Sequence, residues 1–259
     1  MKSALTYYGG KQKLVSTILP LFPDHLLYGE PFAGGAALLF AKEPSEVEIL
    51  NDTNAELINF YKVMKHDFIS LQKKIAITLH SRKQHSDASV IYTNPHLFNE
   101  LDRAWAVWVL ASQSFSSILN AGWGYDKTTN TTTKRIINKG IRFTEEYAIR
   151  LQNVQMECTD ALYIIQSRDH DEAFFYCDPP YYNSEMGHYG GYTQHDFERL
   201  LQVLSKLKGK FLLSSYPSDV LETYRKKHGW QQKRVEQTIS VSKNGKKKVE
   251  CMTANYAIV

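Results

Sequence analysis

The chain has 259 residues, a formal net charge of +4 and 43% hydrophobic residues, enough for one large domain or one domain carrying an insertion, and not the composition of a disordered chain. No apolar run approaches the roughly 18 residues of a membrane helix, and the first residues lack the apolar core of a secretion signal. The three cysteines, Cys158, Cys177 and Cys251, have neither metal-knuckle nor disulfide spacing, so a reduced, cytoplasmic protein without membrane or metal is expected.

The chain opens with Tyr7-Tyr8-Gly9-Gly10-Lys11 and a helical pattern at Leu14, Ile18 and Leu19. Paired glycines ahead of a helix let backbone N–H groups approach an anion, with Lys11 as a point charge; a plain terminal turn would look the same. His25–Glu30 reads as a strand running into Pro31-Phe32-Ala33-Gly34-Gly35, and a helix begins over Ala36–Ala41. Strand, glycine loop and helix are where α/β folds bind nucleotides. The G-x-G-x-x-G spacing is missing, which disfavours a nicotinamide cofactor. Val47–Asp52 alternates into a second strand ending in a carboxylate. Asp52 is placed either to accept the ribose hydroxyls of an adenosine ligand or, with Thr53, to cap the following helix.

From about residue 60 to 150 the α/β alternation stops. Leu101, Trp105, Trp108, Ser112 and Phe115 recur at helical steps, the pattern of a buried helix. Next come Asn120-Ala121-Gly122-Trp123-Gly124-Tyr125 and a threonine-rich stretch to Lys134-Arg135, read as a long irregular loop. Its aromatics, hydroxyls and basic pair suit phosphates and base edges; an ordinary surface loop is the alternative. Val154–Cys158 restores a strand, with Asp160 just beyond as a site carboxylate or a helix cap.

Ala173–Cys177 is a short, aromatic-rich run ended by Asp178-Pro179-Pro180-Tyr181. The prolines cannot donate ladder bonds, so the strand stops there, at the edge where open α/β sheets bind ligands. Carbonyl and carboxylate acceptors beside a flat ring suit a planar base with an exocyclic amino group. Gly187-His188-Tyr189-Gly190-Gly191-Tyr192 then suits a loop closing over that base. Thr193 caps a helix over Gln194–Leu207, Phe211–Ser215 is a buried strand, and Val235–Ser242 and Val249–Ile258 flank an Asn244-Gly245 turn as a hairpin. His188 and His195 have no metal-like partner set.

Asp178-Pro179-Pro180-Tyr181 resembles the Asp-Pro-Pro-Tyr motif of the amino-methyltransferases, which methylate adenine N6 or cytosine N4 in DNA and hold the base flipped from the duplex. Tyr7 to Lys11 resembles the aromatic-x-Gly-Gly-Lys segment of the Dam-type adenine enzymes. Phe32-Ala33-Gly34-Gly35-Ala36 resembles their Phe-x-Gly-x-Gly loop, except that Ala36 stands at the last glycine and an extra glycine at Gly35. The order of motifs, from Tyr7 to Tyr256, matches the group that contains those enzymes.

The resemblance implies a Rossmann-like methyltransferase with a mixed sheet, formed by residues 1–59 and 151–259, and an inserted, mainly helical target-recognition domain at 60–150. It implies S-adenosylmethionine as cofactor, held by Tyr7, Gly10, Lys11, Phe32, Gly34, Asp52, Asp160 and Asp178. Catalysis falls to Asp178, Pro179, Pro180 and Tyr181, with Tyr181 stacked on the base. Double-stranded DNA is the expected partner, bound through Trp123, Tyr125, Lys134 (to phosphate) and Arg135 (to a base edge), by a monomer or weak dimer. Cytosine-N4 methylation, and an inactive DNA-binding protein on the same fold, are the alternatives.

Overall fold

A computed structural model describes residues 1–183, 191–238 and 247–258. Among these the strands are β1 (Leu27–Glu30), β2 (Val47–Asn51), β3 (Val154–Glu157), β4 (Ala173–Cys177), β5 (Lys210–Ser215), β6 (Gln231–Thr238) and β7 (Lys247–Ala254). The α-helices are α1 (Val15–Ile18), α2 (Ala37–Ala41), α3 (Ala55–His66), α4 (Phe68–Ala76), α5 (Arg82–Thr93), α6 (Glu100–Gln113), α7 (Thr131–Ile141), α8 (Glu146–Leu151), α9 (Ala161–Ser167), α10 (Gln194–Leu204) and α11 (Asp219–His228). The chain divides into two compact units: Met1–Leu19, Gly34–Pro44 and Asp52–Cys158 form the first, and Pro20–Ala33, Ser45–Asn51 and Thr159–Val259 the second.

In the second unit six strands run in the order β2-β1-β4-β5-β7-β6. The first four are parallel, and β7 enters antiparallel to both β5 and β6. This is the mixed, Rossmann-like sheet expected. Continuous apolar runs such as Ala173–Cys177, buried at every position, suit parallel strands covered on both faces. Gly29 belongs to the same packing: a Cβ there would lie 2.8 Å from the Phe175 ring on the adjacent strand, so the aromatic of β4 requires a bare backbone in β1. Strands β6 and β7 form the antiparallel pair that the hairpin pattern predicts, but from Gln231↔Ala254 to Thr238↔Lys247, so β6 begins before Val235 and β7 ends before Ile258; Asn244-Gly245 lies outside the described residues, as do Gly187–Gly190. Thr193 caps α10 in a full capping box with Asp196.

The first unit holds β3 and, between Ala55 and Leu151, the helices α3–α8. It also takes in the N-terminal segment and the glycine loop: the Met1 amino group donates to Phe40 O at 2.9 Å, and Ser3 Oγ donates to Gly35 O. Trp105 and Trp108 are buried on α6, as the spacing predicts. Phe115 is not. The helix ends at Gln113 and Phe115 is 69% exposed. A second correction concerns residues 131–139: they are the body of α7 rather than loop. Asp126 accepts from Thr132 N and Oγ1 at 2.6 and 2.9 Å, supplying a start signal from five residues upstream of the helix.

Helices α3 and α6 are joined by an ion pair. Arg103 Nε and Nη2 donate to Glu56 Oε2 and Oε1 at 2.8 and 2.6 Å, with the Glu56 side chain only 10% exposed. Arg103→Ala would leave that carboxylate without its guanidinium, and the expected destabilisation is about 3 kcal/mol. Urea denaturation of the two proteins measures it; a shift under 1 kcal/mol would mean that Glu56 finds other partners.

Candidate active site

In the second unit, β4 delivers the Asp-Pro-Pro-Tyr turn. Asp178 is half-buried, Pro179 and Tyr181 are buried. The Tyr181 hydroxyl donates to Asp178 Oδ1 at 3.1 Å and lies 2.8 Å from Ser214 Oγ at the end of β5, so Ser214 is the donor to the phenol oxygen. Burial, then the Asp178 charge, pushes the Tyr181 phenol well above its ordinary range, so it stays protonated as a donor. Its ring sits 4.4 Å from that of Tyr216, inclined at 60°. Tyr181 therefore holds Asp178 in place, a task distinct from the stacking expected of its ring. Ser214 and Tyr216 carried no signal in the sequence beyond membership of a buried strand and its exit. Tyr181→Phe keeps the ring and removes the hydrogen bond; on the order of a ten-fold loss in transfer rate is expected, with cofactor affinity unchanged. Equal rates at saturating substrates would show that the hydroxyl does not orient Asp178.

Also in this unit, Phe32 packs half-buried on the apolar core. Asp160 is the N-cap of α9, its Oδ1 accepting from Leu162 N and Tyr163 N at 2.7 and 3.2 Å. The capping alternative thus holds for Asp160.

It does not hold for Asp52. The cap of α3 is Asn54, whose Oδ1 accepts from Glu56 N and Leu57 N. Asp52, in the first unit, instead accepts from Gly34 N on Oδ2 at 3.0 Å and from Asn54 N on Oδ1 at 2.9 Å. Burial pushes its carboxyl upward, and the Asn54 and Gly34 N–H groups pull it partly back. The Gly34 carbonyl accepts from the Tyr61 hydroxyl at 2.7 Å, and Gly34 has φ +46°, with the Tyr7 ring 3.3 Å from where a Cβ would stand. The glycine loop is thus fixed from both sides, while Ala36 adopts the left-handed conformation at φ 49° that a glycine there would adopt without steric cost. Asn54 Nδ2 donates to the Tyr92 hydroxyl at 3.0 Å, and Tyr7 faces the same group: burial first, then Asp52 and Tyr92, raise its phenol. Gly10 N donates to Tyr7 O at 3.0 Å, and buried Lys11 donates from Nζ to Gly9 O at 3.1 Å. Tyr7, Gly34 and Asp52 therefore come together, joined by Asn54 and Tyr92, which the sequence did not single out.

Trp123 and Tyr125 form a separate cluster in the first unit. Their rings stack at 5.3 Å and 19°, and the Arg82 guanidinium lies 4.7 Å from the first and 5.6 Å from the second. His80 ties the cluster to α7 through Thr133 Oγ1 (2.8 Å) and Gly124 O (2.9 Å). The turn before it holds Ser116 and Ser117 at φ 54° and 58°, backbone strain of the kind that collects at functional loops. Lys134 and Arg135 stand on α7 and line a cavity with the N-terminal segment, apart from the ring stack.

A family model described as D12 class N6 adenine-specific DNA methyltransferase matches residues 7–254. The chain belongs to this family. The DNA adenine methylase of Vibrio cholerae is 26% identical, the match covering 94% of this chain and 91% of that one. The type II methyltransferase M1.LlaDCHI of Lactococcus lactis is 27% identical over 82% and 80%. The DNA N-6-adenine-methyltransferase of Escherichia phage P1 is 26% identical over 79% of this chain, which spans only 28% of that longer protein. Among the described residues no helix is long and apolar enough to cross a membrane, and no group of His, Cys, Asp and Glu could hold a metal.

Proposed function

We propose that this D12-class chain transfers a methyl group from S-adenosylmethionine to the N6 amino group of adenine in double-stranded DNA, on a base flipped from the duplex. The observation that carries the reading is the Asp178–Tyr181 pair: a carboxylate held by a buried phenol, at a strand end closed by two prolines. Family membership favours adenine over cytosine N4.

The donor set fits the cofactor. Asp52 already receives one N–H on each carboxylate oxygen and keeps lone pairs for two ribose hydroxyls. Tyr7, Gly10, Lys11, Phe32 and Gly34 would hold the rest of the molecule, and Asp160, with both cap bonds on Oδ1, keeps Oδ2 for its adenine amino group. The bound cofactor supplies an already activated methyl. Asp178 and the Pro179 carbonyl accept hydrogen bonds from the target amino group, orienting its nitrogen lone pair and stabilising the positive charge that develops there. Pro180 fixes the turn. Trp123 and Tyr125, with Arg82, present a flat, cationic face to bases, Lys134 contacts the backbone and Arg135 a base edge, so residues 60–150 serve as the target-recognition domain.

Incubation with methyl-labelled S-adenosylmethionine and mixed-sequence duplex, followed by digestion to nucleosides, tests this. Label in N6-methyl-deoxyadenosine is expected. Label in N4-methyl-deoxycytidine would transfer the reading to cytosine, and no label in DNA would end it.

A further inference from the structure

Helix α7 turns one face toward a cavity of about 700 Å³ in the first unit. Thr131, Lys134, Arg135, Asn138, Lys139 and Arg142 line it, the i, i+3, i+4, i+7 series of one helical face. Lys2 and Lys13 face them from the N-terminal segment, and no carboxylate is among the lining residues. Like charges at positions 135 and 139 work against the helix. Lys139 adds a larger cost: its Nζ is closed off from solvent and has no hydrogen-bond partner among the described residues. Lysine is seldom buried without a counter-charge. Burial first, then the Arg135 guanidinium, lowers its ammonium to about 8.

We propose that this cavity is a phosphate-binding site centred on Lys139, with Lys134, Arg135 and Arg142 around it. A phosphate offers several anionic acceptor oxygens to forked guanidinium and ammonium donors at once, and it supplies the counter-charge that Lys139 lacks. Under the function proposed above, on which this part rests, the phosphates are those of the DNA backbone. The site moves Arg135 from a base edge to a phosphate.

The proposal predicts proton uptake. With its ammonium lowered to about 8, Lys139 is partly neutral at pH 8.5 without a ligand, and an anion beside it draws a proton on. The other ionisable groups on the wall are Lys2, Lys13, Lys134, Arg135, Arg142 and the phenols of Tyr7 and Tyr147, so substitution of Lys139 isolates its share. Full-length wild type, Lys139→Met and Lys139→Arg are compared by calorimetry at pH 8.5, in buffers of different ionisation enthalpy, with a fixed duplex and separately with inorganic pyrophosphate. Duplex affinity is also followed across a salt series. Lys139→Met is expected to lower the log–log salt slope by about one unit, to lose the proton uptake and to raise the Tm of the DNA-free protein. Lys139→Arg, which keeps the charge without titrating near this pH, should restore the slope and not the uptake. Lys139-dependent uptake with pyrophosphate but not with duplex would place a free phosphate compound in the site and keep the proposal. If the wild type methylates no DNA yet shows such uptake, the site stands and the function reading falls. Unchanged slope and uptake in Lys139→Met, with either ligand, overturn the site and leave the methyltransferase reading intact.

Discussion

Replacing Asp178 with alanine is expected to lower the single-turnover rate of methyl transfer on the order of 100- to 1000-fold, while most cofactor and DNA affinity is kept. The carboxylate's worth rises along the reaction, because the amino nitrogen gains positive charge only as the methyl arrives; a group of that kind acts on the rate more than on binding. The hydrogen bonds from Tyr181 to Asp178 and from Ser214 to Tyr181 hold the carboxylate in one orientation, and under the proposed function it would need no reorganisation when a base enters. Rapid-quench measurement at saturating cofactor and duplex reads this directly. A near-normal rate would remove Asp178 from the chemistry.

Asp52→Ala is expected to act on the cofactor instead. Two ribose hydroxyls donating to a charged acceptor are each worth roughly 1.5–3 kcal/mol, so calorimetry on the folded variant should show S-adenosylmethionine affinity falling by well over ten-fold. Unchanged affinity would reduce Asp52 to a brace for the glycine loop, through Gly34 N and Asn54 N. The pH dependence has a definite sign. Burial raises the Asp52 carboxyl, so on acidification it takes up a proton sooner than a free carboxylate, and cofactor affinity falls through that raised range. Stability linked to Asp52 runs the other way: with the folded value above the unfolded one, its contribution is present at low pH and is lost as pH rises through the folded value. Wild type should therefore bind the cofactor less tightly at the acid end even where this residue no longer opposes folding.

How much of this was legible in the sequence depends on how local the signal was. Strand β4 was read residue for residue, because an apolar run ended by two prolines leaves no choice. Strand β1 begins at Leu27 rather than His25, whose ring is taken up by Pro23 O and Ser45 Oγ. Helix α7 was missed because three threonines and an asparagine favour turns, and its start signal, Asp126, lies upstream in what reads as loop. Arg82, Tyr92 and Ser214 gain meaning only from partners brought in by the fold, and the solvent-free Nζ of Lys139 only from its burial there. The expected domain limits, 1–59 and 151–259 around 60–150, are cuts in the chain. The two compact units take Gly34–Pro44 and Asp52 with the helices and leave β1 and β2 with the sheet, an interleaving that no composition shift marks.

Strand β7 lies between β5 and β6 although it is made after both. During synthesis, then, β6 emerges with no strand to join, and the β5 edge with Phe211, Leu212 and Leu213 stays bare until Lys247–Ala254 arrives. The polar make-up of Gln231–Thr238, with Lys233, Arg234 and Glu236, suits a segment that must wait without pairing to a neighbouring nascent chain. The apolar β5 edge has no such protection. A chain interrupted before Lys247 would present that apolar β5 edge to its neighbours, so the arrival of Lys247–Ala254 is the step that removes the sheet's adhesive edge.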